Sequence, residues 1–175
     1  MARIFTPWTP STYDLDSQGR SLGFDFVCDT PTEILGVWWF QETGSGDGPL
    51  LVTGRIYLES DHSLVVEAAL APSVQGWNLI LFEEPFLAEI GVTYTAAVWL
   101  GANKRAGYTF GIFSDGDILD ESGHTRAKSD PGGRYGLNEA SPAYPDWGAG
   151  NFLHGVDIEF QFPTPYTNVQ FLPFF

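Results

Sequence analysis

Basic residues are scarce in this chain: eight Lys and Arg stand against 22 Asp and Glu, a formal charge of −14 at pH 7. A surface so short of cations cannot release counterions from a phosphate backbone, which excludes DNA and RNA as partners. The same sign disfavours an anionic membrane surface. Long apolar runs are missing too. None approaches the ~18 residues that a membrane-spanning segment needs, which argues against insertion. No sustained helical period is present. Cysteine is limited to Cys28, so an intrachain disulfide is excluded and packing alone must hold the fold. The opening MARIFTPWTPSTYD lacks the apolar core and small-residue cleavage site of a secretory signal, so work outside a cell would require another way out.

What is abundant is turn-forming and aromatic. Twenty Gly and 12 Pro, with 43% hydrophobic and 15% aromatic residues in a chain of 175, suit one domain of many short strands. The expected fold is all-β, an antiparallel β-sandwich of jelly-roll-like arrangement over residues 21–162, with an N-terminal arm at 1–20 and an apolar C-terminal tail at 163–175.

The sandwich is organised around GWNLILFEEPFLAEIGVTYTAAVWL, residues 76–100. Alternation predicts one strand from Trp77, which Pro85 ends by withholding a ladder donor, and a second from Tyr94 to Leu100. Between them Leu87, Gly91 and Tyr94 have the spacing of a tyrosine corner, in which the hydroxyl turns back to the backbone upstream. SLGFDFVC (21–28) reads as a half-buried strand. In ILGVWWFQ (34–41) the period of two groups Leu35, Val37 and Trp39 against Gly36, Trp38 and Phe40. Both faces are apolar, so the second is covered either by an arm or loop of this chain or by a partner. LVTGRIYL (51–58) is a strand with Gly54 as a bulge or crossing point, Asp61-His62-Ser63 a turn, LVVEAALA (64–71) a strand, and YTFGIF (108–113) another. Residues 114–149 show no period and are expected to be irregular. GVDIEFQF (155–162) puts Val156, Ile158, Phe160 and Phe162 inside and Asp157, Glu159 and Gln161 outside.

Chemistry is sparse. Asp115, Asp117, Asp120 and Glu121 offer oxygen donors that could collect Ca²⁺, without EF-hand spacing, since position six is Asp120 and position twelve Arg126; solvated turn acids are the plainer alternative. His62, His124 and His154 lack the neighbours of a zinc signature and read as surface or loop histidines. No nucleophile elbow, phosphate loop or His-Glu-x-x-His is present. Asp146 with Glu139 could serve a polysaccharide hydrolase, but acids are so numerous that chance pairs are expected. Tyr135, Tyr144, Asp146 and Trp147 suit sugar recognition, because a pyranose face stacks on a ring while its hydroxyls take hydrogen bonds. The alternative is that Tyr144 and Trp147 plug an end of the sandwich.

With those residues laid out, the chain resembles a β-sandwich family catalogued as a domain of unknown function, found in bacterial extracellular proteins and in minor tail proteins of actinobacteriophages. The likeness lies in SLGFDF followed by EILGVWWF, in GRIYL, in residues 76–100, and in GRYGL with FLHGVDIEFQF, together nearly the whole domain. Trp38 departs from the polar residue expected there, and Asn151-Phe152 stands near an expected Asn-Tyr. The resemblance implies a non-catalytic accessory domain, similar to carbohydrate-binding modules. It looks like a phage structural protein, assembled in the host cytoplasm and acting in the virion. A free-standing lectin is the alternative. Its partners would be other virion proteins, further copies of itself, or a cell-surface glycan. Candidate contact residues are Trp8, Trp38, Phe171, Phe174 and Phe175, since aromatic ends exposed to water invite cover.

Overall fold

The computed structural model describes residues 1–5, 9–16, 19–41, 51–71, 75–101, 104–137 and 141–163. Trp8, Glu139, the 42–50 loop and the tail with Phe171, Phe174 and Phe175 lie outside the described residues. The described chain is all-β, with antiparallel sheets packed face to face as a sandwich.

The first eight strands are β1 (Thr12–Asp16), β2 (Arg20–Cys28), β3 (Thr32–Gln41), β4 (Val52–Leu58), β5 (Leu64–Leu70), β6 (Gly76–Ala88), β7 (Thr93–Leu100) and β8 (Lys104–Phe110). They pair as nested antiparallel ladders: β4 with β5, β3 with β6, β2 with β7, β1 with β8. Six short strands follow: β9 (Ile118–Leu119), β10 (Thr125–Ala127), β11 (Gly133–Leu137), β12 (Trp147–Gly150), β13 (Phe152–His154) and β14 (Val156–Gln161). The large sheet runs β12-β11-β2-β7-β4-β5, with β10 also on β2 and β9 on β10. Facing it is β14-β3-β6, and β1-β8-β13 forms a third sheet. Gly155 joins the last two, accepting from Phe40 N at 2.9 Å and donating to Gly107 O at 2.8 Å.

The core lies between the sheets. Leu22, Phe24 and Phe26 of β2, Ala96 and Val98 of β7 and Ile56 of β4 pack toward Val37 and Trp39 of β3, Ile80 of β6, and Val156, Ile158 and Phe160 of β14. Gly54 is the expected crossing point: a Cβ there would meet Val37 Cβ at 3.1 Å and Ile80 Cδ1 at 3.2 Å. The tyrosine corner forms as read. Glu89 N–H donates to the Tyr94 hydroxyl at 3.2 Å, and Gly91 takes a φ of +74° that suits glycine.

Several expectations need correction. Pro85 does not end a strand; β6 runs through it. The partner β3 pairs Ile34 with Phe86 and then Gly36 with Leu81, so Pro85 sits in a bulge of an edge strand, where a missing donor costs little. In β3 both ladders skip Leu35. The bulge reverses the alternation, leaving Leu35 half-buried while Ile34 joins Val37 and Trp39 inside. β2 is buried on both faces rather than half-buried. β8 begins at Lys104 and ends at Phe110. Residues 114–149 are irregular only in part: among turns and coil, β10 and β11 lie one after the other along β2, and β12 extends the sheet from β11.

The N-terminal segment also covers what was expected to be the outer face of β14. Ala2 pairs with Phe160 through two backbone hydrogen bonds. Ile4 and Phe5 enter the core, where the Phe5 ring meets Phe24 edge-on at 5.1 Å. Asp157 is buried, not outward-facing. It accepts from Arg3 Nε at 3.0 Å and from the amides of Ile4 (3.2 Å), Phe5 (3.1 Å) and Ile158 (2.8 Å).

Candidate functional site

Strand register and packing separate the four candidate sugar-binding residues. Tyr135 pairs with Leu22, a core-facing residue, and Arg134 pairs with Gly23, which shares Asp25's face. Tyr135 therefore lies on the inner face, and Trp147, its cross-strand partner on β12, stands beside it. Their rings meet edge-on, centroids 5.4 Å apart. Because β12 is the last strand of the sheet, Trp147 overhangs the sandwich and is 56% exposed. The indole is braced by Tyr135 and open to solvent over much of its surface.

Tyr144 belongs to the outer face and is buried against Tyr57 and Ala97. His62 stacks on its ring at 3.7 Å, Tyr57 meets it edge-on at 5.3 Å, and its hydroxyl lies 3.3 Å from Thr95 Oγ1. Burial pushes its phenol pKa up. Tyr144 is thus a plug over the sheet. Beneath it Asp25 takes both Arg134 Nε (2.9 and 3.0 Å) and Nη2 (2.6 Å), and also the Thr95 hydroxyl at 2.6 Å. Burial opposes the Arg134 charge, but the hydrogen bonds and charge of Asp25 prevail and raise its pKa. Asp146 is exposed and lies 3.5 Å from His62 Nδ1, a surface pair that stabilises little.

The other candidates are structural in their contacts. Trp38 donates to Glu159 at 2.7 Å and lies under the Arg3 guanidinium, 4.7 Å from its ring centre. Arg3 also covers Trp77, at 4.1 Å. Of the two covers left open for this face, the chain's own N-terminal segment supplies one at Trp38. Asp120 accepts from the amides of Ser122, His124 and Thr125 and from the Ser122 hydroxyl. Burial would raise its pKa, yet those donors outweigh it and hold the carboxyl below the ordinary range. Asp117 is held low in the same way, first by the Ser129 amide at 2.7 Å. Asp115 is exposed. Among the described residues no three His, Cys, Asp or Glu side chains are grouped to hold a metal. His154 is not a surface histidine: both its ring nitrogens are buried without a hydrogen-bond partner.

Sequence reasoning missed a groove of about 460 Å³ beside β12, lined by Ser114, Ser129, Asp130, Gly148, Gly150 and Asn151. Its walls come from loops and very short strands, so no periodicity announced it. A Cβ at Gly150 would meet nothing within 4 Å, so this glycine faces open space. The groove passes Gly148, the residue after Trp147. Glycine backbone, hydroxyls, an amide and one carboxylate can hold a polyhydroxylated ligand by hydrogen bonding.

No protein-family model matches this chain, and no curated protein matches it. The likeness noted in the sequence therefore stands on its quoted residues alone.

Proposed function

We propose that the chain is a non-catalytic structural protein of a bacteriophage virion, of minor tail or decoration type, that holds a host-surface carbohydrate against Trp147. The observation that carries the sugar-binding reading is the Trp147 indole, half open to solvent at the sheet's end and braced by Tyr135. A braced ring loses little freedom when a sugar face stacks on it. The virion assignment is supported by the resemblance to phage tail proteins. We read the nested pairing of β1–β8 as a jelly roll, an architecture shared by capsid and lectin domains. The sequence of the tail, with Phe171, Phe174 and Phe175, supports an assembly contact with another copy or another virion protein.

Isothermal titration against host cell-wall polysaccharide tests the sugar reading. Trp147→Ala should lower affinity about tenfold or more with no change in melting temperature, because the ring's burial is partial. Equal binding by both proteins would remove the platform from the account. Mass spectrometry of purified particles separates a virion component from a free-standing lectin, which would be absent from them.

A further inference from the structure

We infer that the apolar tail, residues 164–175, docks on the β6 edge of a second copy of this chain, against Leu81 and Leu87; this rests on the reading of the tail as an assembly contact. Register puts the two leucines on one face. Val37 and Ile34 of β3 belong to the core and pair with Ile80 and Phe86, so Leu81 and Leu87, each the next residue on, point to the outer face. They are 59% and 57% exposed. Gly36, which pairs with Leu81, has no side chain to shield it. Farther along the same face Arg3 covers Trp38 and Trp77, but the two leucines stay open. Among the described residues β6 is the last strand of its sheet, so its edge also offers backbone donors and acceptors to an added segment.

Charge and position select the occupant. Exposed Glu83 and Glu84 lie between the two leucines, and the chain carries −14, so an acidic partner is repelled. Residues 164–175 hold no charged side chain and include Val169, Phe171, Leu172, Phe174 and Phe175; they can approach without that repulsion and bury apolar area on the leucines. The tail also leaves from the right place. It follows Pro163, just beyond β14. Gln161 of β14 pairs with Glu33, and Glu33 with Leu87, so the exit lies at the Leu87 end of the same sheet, two strand spacings or about 10 Å from the receiving edge. With donor and receiver at one end, two copies related by a twofold axis there can exchange tails reciprocally, and the contact closes as a dimer. Proline restricts the residue before it to extended backbone, and Pro163 and Pro165 follow directly on β14. That pair carries the chain past the end of the sheet toward a neighbour instead of back across β3.

Sedimentation of the full chain at micromolar concentration tests the association, and a cysteine pair identifies the partner. The wild-type protein should be a dimer. Leu81→Glu, a change at an exposed position, and Phe171→Glu should each weaken dimerisation about tenfold or more while keeping the circular dichroism of the folded chain. Mild oxidation of the protein carrying both Leu81→Cys and Phe171→Cys should give a disulfide-linked dimer that a reductant separates; the native Cys28 is buried and does not compete. A monomeric wild-type protein, an undiminished dimer in both glutamate variants, no disulfide in the double variant, or a disulfide within one chain, which would put the tail on its own β6, would each overturn the inference. Absence of the chain from purified particles would instead defeat the virion reading and leave the dimer standing.

Discussion

Two buried ionisable side chains pull the stability of this fold in opposite directions with pH. Burial raises the Asp157 carboxyl to about 6, against the pull of Arg3 and of the amides that bond it. A raised pKa in the folded state means that protonation favours folding, so this contribution is complete below about 3.8 and is lost as pH rises through about 6. Burial, then the charge of Arg20, lowers His154 to about 4. Its contribution is present above about 6.5 and is lost as pH falls through 4. Each shift is worth about 3 kcal/mol, so the two should nearly cancel between pH 4 and 6.5. Denaturant titrations at both ends of that window are expected to show it: relative to wild type, His154→Gln gains stability on acidification and Asp157→Asn loses it. Identical pH profiles for all three proteins would show that neither group titrates differently on folding. Neither burial was legible in the sequence. Asp157 sits at an outward position of a clean alternation, and what covers it begins more than 150 residues earlier, at Arg3 and Ile4.

At the scale of elements, legibility followed range. Tyr94 and Gly91 lie close to Glu89, whose amide the Tyr94 hydroxyl serves, and their spacing alone disclosed the corner. Tyr94→Phe should cost about 1 kcal/mol by chemical denaturation, the net worth of one partly buried hydrogen bond; no loss would mean that the hydroxyl is equally well served by water. Gly54 was readable as a special point because a glycine inside a strand pattern has few other reasons to be there. Its role as a crossing point came only from the opposite sheet. Gly54→Val should destabilise by about 1–3 kcal/mol through overpacking against Val37 and Ile80, and an unchanged melting temperature would contradict so close an approach. Pro85 and Leu35 misled because a bulge absorbs residues without ending a strand, and its position is fixed by the partner ladder. The strands β9 to β12 were invisible for a related reason: at two to five residues each, they owe their form to pairing with β2, β10 and β11 rather than to any pattern of their own. The candidate sugar-binding residues shared that fate. Tyr135, Tyr144, Asp146 and Trp147 are neighbours in sequence, yet register puts the Tyr135–Trp147 pair on one face while Tyr144 packs on the other.

At the scale of the whole molecule, the large sheet packs on the opposing sheet within, the Tyr144 plug covers part of its outer face, and its β12 end carries the exposed Trp147. The strong negative charge keeps such a protein from non-specific adsorption to polyanions, which leaves recognition to shape, stacking and hydrogen bonds. In the proposed function this end of the sandwich docks on a host surface. Binding of the fluorescently labelled protein to intact host cells, counted by flow cytometry alongside Trp147→Ala, tests it most directly. The wild-type protein should decorate the cells, soluble cell-wall polysaccharide should displace it, and the variant, folded to the same melting temperature, should not bind; equal decoration by both proteins, or none by either, would overturn the proposed docking.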